Sequence, residues 1–412
     1  MTSRTGRPAA VWWLLLAGMA LRLAWGLVMP VDPVSDSAAY DTFARTLAEH
    51  GVYGWTPDNP TAYWAVGTSA AVAATYLLLG QSYAGVVALN LLAGLLILEL
   101  TWRLGRQYFG PRAGLWALAA VAFWPNLIFF TSVLSSELFF IALTLGGLWL
   151  WERPGGHRLV NLVLAGLVWG LACYVRPVIL LFPVALAIAA LAEGPRATLR
   201  AALRAAVAIA LIVLTVAPWT LRNAEVIGKA YLVSSNFGTN FWMGNNPEST
   251  GGYMPLPPEV REMSEVEREE YLAGLAKAYI AEDPLRFLGK TAARLVQLHN
   301  RETIGVAWNE AAILERVGAP GLLAAKLLAT GYWYLLLGCA LGGLALRLRD
   351  HRLGALFHPV FGGWAYFSAV HAIIVAEDRY HMPASPFIAL LAGVALAALA
   401  QTLRSRFQRP AP

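Results

Sequence analysis

The sequence predicts an all-α polytopic membrane protein, and three observations carry that expectation. Of 412 residues, 58% are hydrophobic and only 14% are charged, with a mean hydropathy of +0.54. An average soluble domain is about a quarter charged, so there is too little charge here to coat a water-facing surface. The apolar residues fall into ten nearly uncharged runs, most of them close to the roughly 20 residues that a helix needs to cross a bilayer. Finally, the arginines gather on alternate connections between those runs, as the positive-inside rule requires. The same numbers exclude a compact water-soluble enzyme and a disordered chain. Cys173 and Cys339, the only cysteines, exclude a disulfide framework and a cysteine-rich zinc site. The net charge of +6 belongs to cytoplasmic loops rather than to nucleic-acid binding.

The runs occupy 9–29, 82–102, 113–131, 137–151, 159–175, 177–192, 204–219, 321–345, 354–375 and 384–402. The first follows Arg4 and Arg7 as a signal peptide would. No small-residue cleavage site comes after it, so it reads as a span. An eleventh apolar stretch, 61–80, is assigned by charge. If it does not cross, sixteen arginines share the side of the N terminus: Arg4, Arg7, Arg103, Arg106, Arg112, Arg153, Arg158, Arg196, Arg200, Arg204, Arg347, Arg349, Arg352, Arg404, Arg406 and Arg409. If it does cross, the loops between 100 and 204 move outside and break the rule. Residues 61–80 are therefore expected along the outer surface, with Tyr63, Trp64 and Tyr76 at the interface. Both termini are then cytoplasmic. Three regions follow: a transmembrane module over 1–219 with its first outer loop at 30–81, a long outer loop over 220–320, and C-terminal spans over 321–412.

Candidate chemistry lies at the outer ends of the spans. The first outer loop holds Asp32, Asp36, Asp41, Glu49 and Asp58 against Arg45 alone. Acids clustered beside an apolar slab are costly unless they bind a cation or take protons. Ser35 or Asp36 can equally cap a helix over 37–49, and Asp36, Tyr40, Phe43 and Leu47 share one face of it. Glu137 opens the fourth run. Two opposed carboxylates suit acid–base or metal-assisted chemistry, with Mg or Mn as the cation. Arg379, in AEDRYHMPASP, suits a phosphate, though an ion pair with Glu377 or Asp378 is the alternative. Arg176, before the helix-breaking Pro177, is a second phosphate candidate whose alternative is snorkelling. His381 is a possible base or ligand. Arg22 is an intramembrane charge, or reaches outward.

The long loop opens with PWTLRN, which holds Arg222, and continues through NFGTNFWMGNNP. Asn240, Trp242, Asn245 and Asn246 there are what a sugar-binding surface uses, and also what ordinary turns use. Ser264 and Glu267 form a capping box. Pro284 divides the following helix in two. The second half sets Arg286, Lys290 and Arg294 opposite Leu285, Phe287 and Leu288, and reads as lying on the membrane. No P-loop, strand-linked GxGxxG or Asp-x-Asp is present.

In order, these motifs resemble those of the GT-C membrane glycosyltransferases, specifically the bacterial relatives of family 39. That group includes protein O-mannosyltransferases and the aminoarabinose transferase of lipid A. The resemblance rests on Asp36-Ser37-Ala38-Ala39-Tyr40, on PTAYW at 60–64, and on SSE at 135–137. FGPRAG at 109–114, PWTLRN at 218–223, NFGTNFWMGNNP at 236–247 and DRYHMPASP at 378–386 complete it. Ser37 departs from the family's usual Glu. The resemblance implies a GT-C bundle in a bacterial inner membrane, with surface-lying helices in the first outer loop. It also implies inverting transfer of a sugar from a polyprenyl-phosphate carrier to a lipid, glycan or protein acceptor on the outer, periplasmic face. On that reading Asp36 is the general base, and Glu137 orients the acceptor or helps hold a divalent cation. Arg379, supported by Arg176 or Arg222, neutralises the donor phosphate. Tyr40, Tyr63, Asn240, Trp242, Asn245, Asn246, Tyr380 and His381 would line the substrate site. The rival readings are a transporter, a flippase, a polysaccharide polymerase or ligase, and a non-catalytic assembly protein. A transporter calls for polar groups at mid-bilayer, whereas the acids here gather outside.

Overall fold

The computed structural model describes residues 7–407, so Arg4 and Arg409 lie outside the described residues. It is a helical bundle. The helices are α1 (Ala9–Val28), α2 (Asp36–His50), α3 (Val66–Leu79), α4 (Ala84–Ala122), α5 (Pro125–Phe129), α6 (Glu137–Glu152), α7 (Arg158–Val175), α8 (Phe182–Ala189) and α9 (Pro195–Val226). They continue with α10 (Phe237–Asn245), α11 (Glu265–Glu282), α12 (Pro284–Gln297), α13 (Ile304–Ala307), α14 (Glu310–His351), α15 (Pro359–Ile374) and α16 (Ser385–Phe407). A small hairpin pairs Gly54–Thr56 with Asn59–Pro60.

Among the described residues, six helices are long and apolar enough to cross a membrane, and a seventh span arises if the pair Pro125–Ser132 and Glu137–Glu152, bent by 119°, counts as one. Three shorter apolar helical segments accompany them. The ten runs therefore do not map one to one onto long helices. Helix α4 takes in parts of both 82–102 and 113–131, and single glycines divide α4 and α14 into two segments each. At Gly110 the backbone turns to φ 85°, which a side chain would resist. Pro111 follows it. The chain reverses there so tightly that a Cβ on Gly105 would meet the Gly114 backbone at 2.7 Å. Thus α4 is two segments running back to back. Gly318, at φ 66° and two residues before Pro320, breaks α14 in the same way.

The core lies where α16 packs between α4 and α14, with Phe387, Ile388 and Leu390 fully buried. Arg22 is buried inside this bundle. Its guanidinium donates to the carbonyls of Val121 (2.9 Å) and Ala122 (3.1 Å) at the end of α4, and to Gly18 in its own helix. A helix end leaves its last carbonyls unpaired, so Arg22 acts as a cap and does not reach outward.

Helix α3 has 14 residues, about 21 Å, which is too short for a hydrocarbon core of about 30 Å. It lies against α2, and Leu77, Leu78 and Leu79 are exposed. One expectation for it needs correcting. Tyr76 is 4% exposed and points inward to donate to Asp41. The capping box of α11 forms as read, between Ser264 and Glu267. Arg294 does not lie on an outer polar face of α12. It is buried, donating to Ala372 O at 2.5 Å and to Gly244 O and Asn245. Burial lowers its pKa to about 10. It thereby ties α12 to α10 and α15.

Candidate functional site

Four charged side chains from four distant parts of the chain meet at one end of the bundle. Asp36 is the first residue of α2. Neither it nor Ser35 caps the helix: no side-chain cap bond forms, and Ser35 sits at φ 54°, ψ −127°. A non-glycine residue held there is strained, and strain of this kind concentrates at functional sites. The Asp36 carboxylate instead accepts from Arg379 Nη2 at 2.5 Å. Glu137 opens α6, just after the 119° bend, and is fully buried. It accepts from Arg176 and lies 3.8 Å from Arg379 Nη1. Arg176 follows the last residue of α7 in extended backbone and also donates to Ser136 Oγ at 2.8 Å. The order is carboxylate, guanidinium, carboxylate, guanidinium, so each charge is compensated where unpaired burial would be prohibitive.

The aromatic surroundings hold both cations. The Arg379 guanidinium lies 4.9 Å from the Trp308 ring centre and 5.2 Å from that of Tyr380, and Arg176 lies 5.9 Å from that of Tyr380. His371 stacks on Tyr380 at 4.6 Å, and its Nε2 is buried without a partner among the described residues. Burial by itself would lower the Arg379 pKa. Asp36, Tyr380 and Glu137 outweigh it and hold that pKa well above the ordinary value. The guanidinium is thus a fixed charge at any working pH. Burial, then Asp36, raises the Tyr40 phenol, which stays protonated.

A cavity of about 500 Å³ opens beside this cluster, with Asp36, Tyr40, Arg176, Arg379 and Tyr380 in its wall. Tyr63 and Asn240 line it as well. Its wall carries the guanidiniums of Arg176 and Arg379 beside the carboxylates of Asp36 and Glu377, together with aromatic rings and the amides of Asn236 and Asn240, a combination that can seat an anionic group attached to a polar ring where a carboxylate gives way.

Other candidates lie elsewhere. Arg222 donates to the carbonyls of Thr61 (2.9 Å) and Tyr53 (3.1 Å), stacks on Trp219, and does not line the cavity. Its position is corrected from phosphate ligand to a clamp on the first outer loop. Trp242 packs with Met243, Leu272 and Val375. Asn245 bonds backbone carbonyls of Phe241 and Ile373, and Asn246 those of Trp242 and Met243, so their amides are spent on the fold. His381 is fully buried behind the cavity, between Leu298 O (2.8 Å) and Glu302 Oε1 (3.0 Å). Sequence reasoning missed three residues. Trp308 carried no signal among sixteen tryptophans. His371 was signalled, as the one strongly polar side chain in VHAII. Glu302 was hidden in the polar stretch NRETIG.

The divalent cation considered for Asp36 and Glu137 does not fit these side chains as they are placed. A hard cation needs a cage of oxygen donors. Here both carboxylates already face guanidiniums, and no group of three Asp, Glu, His or Cys converges among the described residues.

Residues 60–221 match the model of the family described as Dolichyl-phosphate-mannose-protein mannosyltransferase. No curated protein matches the chain. Among solved structures, the archaeal oligosaccharyltransferase AglB from Archaeoglobus fulgidus, in complex with an inhibitory peptide and a dolichol-phosphate, matches with a TM-score of 0.54 and 14% identity. That match covers 98% of this chain and 52% of AglB. The same enzyme tethered to an acceptor peptide gives a TM-score of 0.56 at 14% identity, over 96% of this chain and 50% of that one. ArnT from Cupriavidus metallidurans, bound to undecaprenyl phosphate, gives 0.53 at 15% identity, over 96% of this chain and 64% of ArnT. This chain thus spans about half the length of the AglB chains and under two thirds of ArnT. Residues 60–221 thus resemble that family's model, and over nearly its whole length the chain shares the fold of AglB and ArnT.

Proposed function

We propose that this protein is a glycosyltransferase of the bacterial inner membrane. It would transfer a sugar from a polyprenyl-phosphate donor to a lipid, glycan or protein acceptor at the outer face. The observation that carries the reading is the contact of Asp36 with Arg379 in the wall of a cavity rich in aromatic and amide groups. The structural likeness to AglB in complex with a dolichol-phosphate and to ArnT bound to undecaprenyl phosphate supports the donor class.

The chemistry follows from the charges. The donor's phosphate would enter against Arg379 and Arg176, the two cations of the cavity wall. The phosphate competes with Asp36 for Arg379 and frees the carboxylate to act as a base. An acceptor hydroxyl then attacks the anomeric carbon from the face opposite the phosphate. Its proton passes to Asp36 as the bond to the phosphate oxygen breaks, and the configuration inverts. The leaving phosphate gains a negative charge that the two guanidiniums neutralise. Glu137 does not line the cavity, so its work is to hold Arg176 and Arg379 in place. No step requires a metal.

The test is transfer in vesicles supplied with polyprenyl-linked sugar. Asp36→Asn should lower the rate by roughly 10²–10⁴-fold, the usual contribution of a general base, while membrane insertion is unchanged. Full activity of that variant would overturn the reading. The Nη atoms of Arg22 are taken up by backbone carbonyls at the end of α4 and in α1, which gives this intramembrane residue a structural role.

A further inference from the structure

Helices α6 and α7 run antiparallel from one end of the bundle to the other. Glu137 and Arg176 mark their ends at the cavity described above. Their other ends, Glu152 and Arg158, are about 24 and 27 Å away by helix rise. A second and larger cavity opens there, of about 830 Å³, with a wall that includes the starts of α7 and α9. The positive-inside count treats the arginines of this end as topology alone. Four of them, Arg153, Arg158, Arg200 and Arg204, line this one cavity. None makes an ion pair with another described residue, although Glu152 and Glu193 share the wall, leaving two more cations than anions. Arg204 is held in place, donating to Trp151 O at 2.6 Å with its guanidinium 3.9 Å from the Trp151 ring centre. Asn161 is buried and lines the cavity, and its amide makes no hydrogen bond with a described residue. The rest of the wall is mostly apolar, with Leu159, Leu162 and Leu186, and adds Tyr108 and His358. Leu159 in the wall is 71% exposed, and Leu191, Leu199 and Leu203, close in sequence to the lining residues Glu193, Arg200 and Arg204, are 52–63% exposed, as expected of side chains that face acyl chains.

We propose that this cavity binds the phosphodiester headgroup of an anionic phospholipid from the leaflet opposite the Asp36–Arg379 cavity. The arginines take the phosphate, the Asn161 amide takes a headgroup or ester oxygen, and the leucines take the first acyl carbons. Basic pockets between membrane helices on the cytoplasmic side have this character in general. A free phosphate would leave most of the volume and all of the apolar wall without a partner, so the lipid is the better occupant.

The full chain is reconstituted with equal amounts of phosphatidylglycerol and phosphatidylcholine, and native mass spectrometry reads the lipids it retains. The wild-type protein should retain phosphatidylglycerol preferentially. Arg158→Ala with Arg200→Ala should reduce that retention roughly ten- to thirty-fold, since each surface arginine contributes about a tenfold share or less. The charge-matched control Arg404→Ala with Arg406→Ala, at exposed positions outside the cavity wall, should retain it normally. Monodisperse elution of both variants establishes folding. Equal loss in the control would mean the lipid answers only to the general field, and would overturn the site. Retention unchanged in the first variant would do the same. Displacement of the lipid by inorganic phosphate alone would overturn the lipid as occupant.

Discussion

At the scale of single residues, Asp36 and Arg379 depend on each other. Arg379 touches Asp36 and lies within 4 Å of Glu137, so removing it would leave the half-buried Asp36 uncompensated and the buried Glu137 with Arg176 alone. Such losses typically cost about 3–5 kcal/mol. Arg379→Ala would therefore confuse folding with function, and Arg379→Lys is the cleaner probe. A lysine keeps the charge but not the planar fork that reaches two partners at once. The expected outcome is a donor KM raised about tenfold or more with kcat less affected, measured by donor titration in vesicles; an unchanged KM would remove Arg379 from the phosphate site. The same charge pairing predicts that chelation leaves transfer intact. Loss of activity on dialysis against EDTA, restored by Mg or Mn, would mean that the carboxylates leave their arginines to hold a cation. These four residues were legible in the sequence because charge is rare beside apolar runs, so each one stood out. Their pairing was not, because Asp36 and Arg379 are 343 positions apart. The sequence offered Asp36 as a helix cap or a base, and only the backbone turn at Ser35 separates the two.

At the scale of elements, the segment carrying Arg379 is pinned on both sides to the stretch before α13. Asp378 accepts from Thr303 N (3.1 Å) and Oγ1 (2.8 Å), and His381 meets Glu302. Glu302 also accepts from Trp124 Nε1 at 2.7 Å, which joins this stretch to the end of α4. Both Glu302 and His381 are fully buried, so neither can exchange its partner for water. Glu302→Leu should destabilise by about 3–5 kcal/mol, by leaving the His381 and Trp124 nitrogens unpaired. Glu302→Gln keeps an oxygen for Trp124 and an amide donor for His381, and should cost much less. Melting curves in one detergent would check this, and equal shifts for the two variants would count against the pin. Sequence periodicity failed at this level for an identifiable reason. The stripe of α12 placed Arg294 with Arg286 and Lys290 on a polar face, but pattern alone cannot say that α10 and α15 cover that face. The glycine breaks at 110 and 318 fall at boundaries that hydropathy marks, between 82–102 and 113–131 and just before 321–345, but the positive φ that turns the chain there is not visible in the pattern. They determine how the apolar runs become antiparallel segments.

At the scale of the whole molecule, the two cavities stand at opposite ends of α6 and α7, and the membrane must lie between them if the proposed chemistry faces outward. The orientation rests on α3. A 14-residue helix of about 21 Å packed on α2 should not cross. With the first segment of α4, the returning segment that ends with α5, and α6 each taken as a crossing, three crossings separate residues 58 and 156, an odd number. Asp58 and Gly156 must lie on opposite sides of the membrane. If α3 crossed as well, the count would be even and they would share a side. Both positions are exposed, and nothing lies within 4 Å of a Cβ built at Gly156, so Asp58→Cys and Gly156→Cys should be tolerated. The native Cys173 is fully buried and Cys339 half-buried in an apolar helix, which leaves little background. A membrane-impermeant thiol reagent added to intact cells should label the cysteine at 58 and spare that at 156, with labelling at 156 appearing only after permeabilisation. Labelling of both from outside would mean that α3 crosses. Labelling of 156 alone would invert the protein, placing the Asp36–Arg379 cavity in the cytoplasm and the arginine-lined cavity outside.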